Sequence, residues 1–382
     1  MHRAPRRPPV REVLIIAGEA SGDLHGAGVA ERLRALRPDV PLVGMGGDRM
    51  AAAGVRLFER AEGVVGFVEV LKHLPAHLRL LRAVRAHLRS GRVGLIILID
   101  YPGFNLRVAR AARDAGVPVL YYITPQVWAW KPGRVTLMAE VITKAAVILP
   151  FEEPLLRDAG IDTTFVGHPL LDRAQGLPGR DEARQRLGLP ADREVLALFP
   201  GSRAQEIARH VRDFEAVARE LQRRRPGLEV VVSVAPTIQL DASQLPYPMV
   251  RAQSFDVLRA ADVALCKSGT TTLEAAVAGC PCAVVYKTSR ITYEIARRLV
   301  RIPHIGLLNV VAGREVAPEF VQNAFTTPAV ADALDPLFVR TSAARLRMLD
   351  GMAEVRRRLG APGAAQRVAA MAAEMYDVTR TP

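Results

Sequence analysis

The chain is poor in cysteine, in aromatic residues and in long apolar runs. Of its 382 residues, three are cysteine (Cys266, Cys280 and Cys282), two are tryptophan, and 5% are aromatic. An odd, sparse cysteine count argues against a disulfide framework and for a reducing compartment. Cys280-Pro281-Cys282 lacks the spacing of a zinc site and no His/Cys cluster completes one, so no metal site is expected. No stretch reaches the ~18–20 apolar residues that a transmembrane helix needs. The first nine residues are basic and proline-rich and lead at once into a strand pattern, unlike a secretory leader. The expected location is the cytosol, with any membrane met from its surface. None of the glycine loops matches G-x-G-x-x-G or G-x-x-x-x-G-K-[ST], which argues against a nicotinamide enzyme and a P-loop ATPase.

What the chain does have is apolar content and positive charge. Hydrophobic residues make up 49%, enough for two sizeable cores, and two domains are the expectation at this length. Lysine and arginine total 52 against 39 acids, a formal charge of +13. Such an excess attracts nucleic acid, an anionic membrane or phosphorylated substrates. Low aromatic content, and arginines scattered apart from short clusters such as 223–225 and 356–358, argue against nucleic acid.

Residues 13–17, 40–45, 95–99, 117–122 and 145–149 read as buried strands with helical stretches between them. The pattern stops near residues 176–179 and restarts with strands at 195–199, 228–234, 263–266 and 283–286. Strand–helix alternation predicts parallel sheets covered on both faces. The chain therefore divides into a first lobe at 1–172, a second at 173–341, and C-terminal helices at 342–382 that must dock on the first lobe or on a partner.

Three glycine loops follow strands: Gly18 to Asp23, Pro200 to Arg203, and Lys267 to Thr271. Glycine admits a ligand close to the backbone, and a helix start behind it offers free N–H groups to phosphate. Arg203 could grip a pyrophosphate bidentately. Glu274 could accept ribose hydroxyls, or could close a capping box with Thr271. Asp100 ends the most hydrophobic strand, where burial would raise its pKa and suit a general base. Glu19, His25 and Glu69 are rival bases. His168, between Gly167 and Pro169, reads as a linker residue. Residues 64–88 combine an apolar stripe (Leu74, Leu78, Leu81, Leu88) with Lys72, Arg79, Arg82, Arg85 and Arg89. That pattern fits a membrane surface or an acyl chain as well as it fits a helix packed on the sheet.

Taken together, residues 17–26 (AGEASGDLHG), 66–70 (GFVEV), 100–105 (DYPGFN), 125–130 (PQVWAW), 166–169 (VGHP), 200–203 (PGSR), 268–274 (SGTTTLE) and 309–322 resemble the lipid-A-disaccharide synthase family. They run in order through nearly the whole chain. Tyr101, Gly103, Thr272 and Leu308 depart from the family pattern, the first two beside Asp100.

The resemblance implies a GT-B fold, an α/β architecture of two Rossmann-like lobes with an interdomain cleft, followed by the C-terminal helices. It implies an inverting glycosyl transfer with no metal and no cofactor. The donor would be UDP-2,3-diacylglucosamine and the acceptor 2,3-diacylglucosamine 1-phosphate, giving the β-1,6 disaccharide 1-phosphate and UDP. Asp100 would be the catalytic base on the acceptor side. Arg203, Ser268, Gly269, Thr270, Glu274 and Asn309 would bind the nucleotide sugar. Gly18, Glu19, Ser21, Gly22, Asp23, His25 and Glu69 are further cleft candidates. Lipid substrates imply peripheral attachment to the inner face of the cytoplasmic membrane, and a homodimer is among the assemblies to expect. A UDP-sugar 2-epimerase of the same fold, or a transferase for another glycolipid, is the alternative.

Overall fold

The computed structural model describes residues 11–60, 74–129, 133–236, 238, 240, 245–299 and 302–379. The chain forms two compact units, one of residues 1–169 with 361–382 and the other of residues 170–360.

The first unit is built on a parallel sheet of seven strands: β1 (Glu12–Ala17), β2 (Leu42–Gly46), β3 (Arg56–Arg60), β4 (Val93–Ile99), β5 (Val119–Tyr122), β6 (Lys144–Val147) and β7 (Thr163–Phe165). Their order is β3-β2-β1-β4-β5-β6-β7. Every residue of β1 and β4 is buried, as continuous apolar runs covered on both faces must be. Alternate residues face opposite layers. Leu14, Ile16, Ile96 and Leu98 join Val84, Leu88 and Phe104 on one face. Val13, Ile15, Ile97 and Ile99 join Val29, Leu33, Val368 and Tyr376 on the other. The second face thus rests on two helices far apart in the chain, Ala20–Leu36 and Ala364–Val378. The Tyr376 hydroxyl donates to the carbonyl of Arg11 at 2.6 Å, fastening the late helix to the start of β1.

The second unit carries β8 (Val195–Phe199), β9 (Glu229–Val234), β10 (Met249–Arg251), β11 (Val263–Lys267), β12 (Cys282–Tyr286) and β13 (Glu319–Val321). They run parallel in the order β10-β9-β8-β11-β12-β13. The helix Ala343–Arg358 belongs to this unit, where Met348, Met352 and Val355 are buried. Each strand expected from the apolar runs is present, with no end moved by more than two residues. The sheets also contain β3, β7, β10 and β13, and the stretch where the strand pattern stops is followed by a helix, Arg180–Leu187, within the second unit.

Strand order reverses between β1 and β4 in one sheet and between β8 and β11 in the other. In open α/β sheets, ligands bind beyond the carboxyl ends of strands at such reversals. The loops after β1 and β4 hold Gly18 and Asp100. Those after β8 and β11 hold Gly201, Arg203, Ser268 and Gly269.

Candidate functional site

In the first unit, Asp100 follows β4 directly, and its amide donates to the carbonyl of Tyr122 on β5 at 3.1 Å. Asp100 and Tyr101 both take left-handed backbone angles, φ 48° and 50°. Two successive non-glycine residues there are uncommon and store strain. Side chains hold the turn. Asn105, fully buried, donates through Nδ2 to the carbonyls of Ile99 (3.1 Å) and Asp100 (2.7 Å). The Tyr121 hydroxyl donates to the same Asp100 carbonyl at 2.8 Å. Burial pushes the Asp100 carboxyl up from 3.8 to about 6; the Glu19 carboxylate adds to the rise, and the Tyr101 N–H opposes it.

Gly18 lies under the Tyr101 ring, which a Cβ at Gly18 would overlap. Only glycine lets that ring lie flat on the β1 loop. Tyr101 also meets Phe104 at 5.6 Å between ring centroids, and its hydroxyl is bonded to His77 Nε2. Glu19 caps the helix Ala20–Leu36 without a side-chain bond, Ser21 is exposed, and Gly22 packs 3.3 Å (for a built Cβ) from Ala17. Asp23 faces inward instead: its carboxylate accepts the amides of Gly47 (2.6 Å), Arg49 (3.1 Å) and Met50 (3.1 Å), starting the next helix. His25 stands edge-on to Tyr122. His168 is buried. Glu69, residues 66–70 and Trp130 lie outside the described residues.

Of the apolar stripe, Leu81 and Leu88 are core residues on the helix Leu74–Arg89, while Leu78 is 41% exposed. A carboxylate that the sequence does not flag stands near the end of β6. Glu152 is buried, accepts Trp128 Nε1–H at 3.0 Å and the Leu149 amide at 3.1 Å, and is pushed by burial from 4.5 to about 7.

In the second unit, Arg203 caps the helix Ala204–Arg224 and is exposed, 3.4 Å from Glu206. Gly201 has φ 138°, and a Cβ there would crowd Glu206 at 3.0 Å. Glu206 Oε2 accepts the Ser202 amide at 3.2 Å, and Oε1 pairs with Lys267 Nζ at 2.8 Å. Burial raises the Glu206 carboxyl, but Lys267, the Ser202 amide and Arg203 outweigh it and hold the group below its ordinary value. His210 joins this corner to β12. Its Nε2 accepts the Lys287 amide at 2.8 Å, so Nδ1 carries the proton and donates to the Glu206 carbonyl at 2.7 Å.

The Ser268 hydroxyl donates to the Ile305 carbonyl at 2.7 Å, and Thr272 Oγ1 to that of Gly269 at 2.9 Å; these bonds shape the start of the helix Thr271–Ala278. Thr270 caps that helix without a side-chain bond, and the capping box with Glu274 does not form. The nearly buried Glu274 carboxylate instead pairs with Arg173 Nη1 at 3.0 Å, 101 residues away in sequence. Asn309 is fully buried and satisfied within the protein. Nδ2 donates to the Ala317 carbonyl (2.7 Å) and Glu319 Oε1 (2.8 Å), and Oδ1 accepts the amides of Val316 (2.7 Å) and Ala317 (3.0 Å). That uses all four of its hydrogen-bonding positions.

The first unit thus offers a carboxyl poised to take up a proton near neutrality. The second offers two cations and a helix start suited to a diphosphate. The model of one protein family, lipid-A-disaccharide synthetase, matches residues 13–360. Curated relatives named lipid-A-disaccharide synthase include those of Trichlorobacter lovleyi (40% identical over 376 residues, 96% of this chain and 98% of the relative) and Geobacter sulfurreducens (41% over 377 residues, 95% and 97%). A third is that of Myxococcus xanthus (40% over 382 residues, 98% and 99%). Solved structures of similar fold include a UDP-GlcNAc 2-epimerase from Neisseria meningitidis bound to UDP-GlcNAc (TM-score 0.64, 12% identity, 95% of this chain and 100% of that one). The calicheamicin glycosyltransferase CalG4 is another (TM-score 0.60, 17% identity, 98% and 100%).

Proposed function

The chain belongs to the lipid-A-disaccharide synthase family, and from that premise we propose a division of its chemistry between the two units. The protein is a glycosyltransferase that makes the lipid A disaccharide from a UDP-sugar and a lipid acceptor. Its likeness to 2-epimerases, at 12% identity, is one of fold.

On our reading, UDP-2,3-diacylglucosamine is held by the second unit, and 2,3-diacylglucosamine 1-phosphate presents its 6-hydroxyl to Asp100. As that oxygen attacks the anomeric carbon, Asp100 takes its proton. The bond from the anomeric carbon to the diphosphate breaks, and the electron pair leaves with UDP. Arg203 and the backbone at Ser268 to Thr270 take the diphosphate. Glu274 is read as the ribose acceptor, with Arg173 as its counter-ion before the nucleotide arrives. Asn309 acts indirectly, by fixing the loop that leads to β13.

The observation that carries this reading is the state of Asp100. A carboxyl with pKa about 6, at the point where strand order reverses, is ionised at pH 7 yet basic enough to accept a proton. The test is a mass-spectrometric assay with both lipid substrates, detergent micelles and excess EDTA. A tetraacyl disaccharide phosphate is the expected product. No product, from protein shown to bind UDP, would move the search to another acceptor.

We also read the protein as attached peripherally to an anionic membrane. No helix among the described residues is long and apolar enough to cross one. The formal charge of +13 supports surface attraction, at roughly 1 kcal/mol per well-placed lysine or arginine. Flotation with phosphatidylglycerol vesicles, lost in high salt and absent with phosphatidylcholine alone, is expected. Equal flotation with both lipids would refute an electrostatic attachment.

A further inference from the structure

Arg203 is the one cation that the sequence offers for the diphosphate. The folded second unit holds another beside it. Lys267 is the last residue of β11, and its ammonium donates to Glu206 Oε1 at 2.8 Å. The same carboxylate accepts the Ser202 amide and lies 3.4 Å from Arg203 Nη1. Three donors around the β8 loop therefore converge on one carboxylate, as they would on an anion. The ammonium also stands 4.0 Å from the position of a Cβ on Gly269, in the loop that follows β11. The Tyr286 ring backs it at 5.4 Å. Lys267 thus lies between the two loops read as phosphate-binding, and the protein's own carboxylate fills the anion position there.

We propose that Lys267 exchanges Glu206 for the donor's diphosphate and holds the charge of the departing UDP, and that Glu206 then reclaims the lysine and speeds UDP release. The inference rests on the reading of the second unit as the donor site. The charge balances. When the bond to the anomeric carbon breaks, the β-phosphate oxygen keeps the electron pair and the diphosphate gains one negative charge. Lys267 stays protonated throughout, and nothing is oxidised or reduced. A compact ammonium on a flexible stem suits such a swing, because it can turn from one oxygen acceptor to another without a planar partner. Glu206 touches no reacting atom and is a positioning residue.

The experiment measures turnover and product inhibition by UDP for wild type, Lys267→Met, Lys267→Arg, Glu206→Gln and Arg203→Ala, with calorimetric UDP binding and thermal melts for each. Removing one preorganised donor to a developing anion typically costs about 10²–10³-fold in kcat, so Lys267→Met should lose about 10²-fold, and Lys267→Arg should recover a large part of that. Glu206→Gln should bind UDP several-fold more tightly, because a competing carboxylate is gone. A merely structural carboxylate predicts the opposite sign. Turnover of Lys267→Met within about threefold of wild type, or weaker UDP binding by Glu206→Gln, overturns the proposal. Should Lys267→Met fail to fold, the sign of the Glu206→Gln effect decides alone. Arg203→Ala separates the two levels. If it loses UDP affinity while Lys267→Met matches wild type, the donor site stands and the lysine assignment falls. If wild type itself binds no UDP, the donor reading fails first.

Discussion

Asp100 and Lys267 close equivalent strands, for β4 lies against β1 in its sheet just as β11 lies against β8. At one the chain places a carboxyl just before Tyr101, whose ring covers Gly18 of the neighbouring loop. Burial dominates there, and the acid is raised to about 6. At the other it places an ammonium facing a carboxylate of the neighbouring loop. Charge dominates there, and Glu206 is held below its ordinary value although burial works against it. One topology has thus been given opposite electrostatics by a few residues at the end of each strand. Sheet order brings both loops to the carboxyl ends of their strands, and the residues found there decide whether burial or charge dominates.

The comparison breaks most visibly at Asp100. Asp100→Asn keeps the shape and accepts a positive φ readily, but cannot take a proton, so kcat should fall about 10²–10⁴-fold. Its stability should move the other way. The folded pKa, about 6, lies above the ordinary 3.8, so the folded state holds its proton more tightly than the unfolded chain does. Wild-type stability contributed by this group is complete below about pH 4, declines as pH rises to about 6, and stays reduced above. Relieving that at pH 7 should stabilise the variant by about 2–3 kcal/mol, with little difference below pH 4. Urea melts at the two pH values check the sign. A variant that keeps its rate within threefold would remove Asp100 as the base.

Asn309 sharpens the other side, because its polar atoms serve the fold of the second unit. Asn309→Ala strands the buried amides of Val316 and Ala317, each at about 1–3 kcal/mol. A loss of at least about 2 kcal/mol in thermal unfolding is expected, with UDP affinity retained in whatever remains folded. Lost affinity with unchanged stability would make Asn309 a direct ligand instead. The smallest effect concerns Glu19, the second cause of the raised Asp100 pKa. Glu19→Gln should shift the acid limb of the pH–kcat profile to lower pH by a fraction of a unit, and an unmoved or raised limb would refute the coupling.

Much of this was legible in the sequence because local patterns carry it. The apolar runs of β1 and β4 announce strands buried on both faces, and glycine after a strand announces a loop open to a ligand. Asp100 stands out in the sequence because it follows the most hydrophobic run of the first lobe. The Lys267–Glu206 pair, separated by 61 residues, and Arg173–Glu274, separated by 101, exist only because folding brings distant segments together. The same holds for the Asp23 carboxylate, which reads as a loop acid and serves as the start of another helix. Strands β3, β7, β10 and β13 were missed because short edge strands, half exposed and with polar residues among them, lack an apolar run. The left-handed turn at Asp100 and Tyr101 was hidden for another reason. It is imposed by Asn105 and Tyr121 from outside, not by a glycine within.

The helix Ala364–Val378 supplies part of the floor on which β1 and β4 lie, yet the ribosome adds it after the entire second unit. The order of synthesis is therefore not the order of completion. The second unit, continuous from 170 to 360, has its whole sequence in hand while the first unit still lacks a wall of its core. Nascent protein must shield the apolar face of the first sheet for the time taken to translate the second unit.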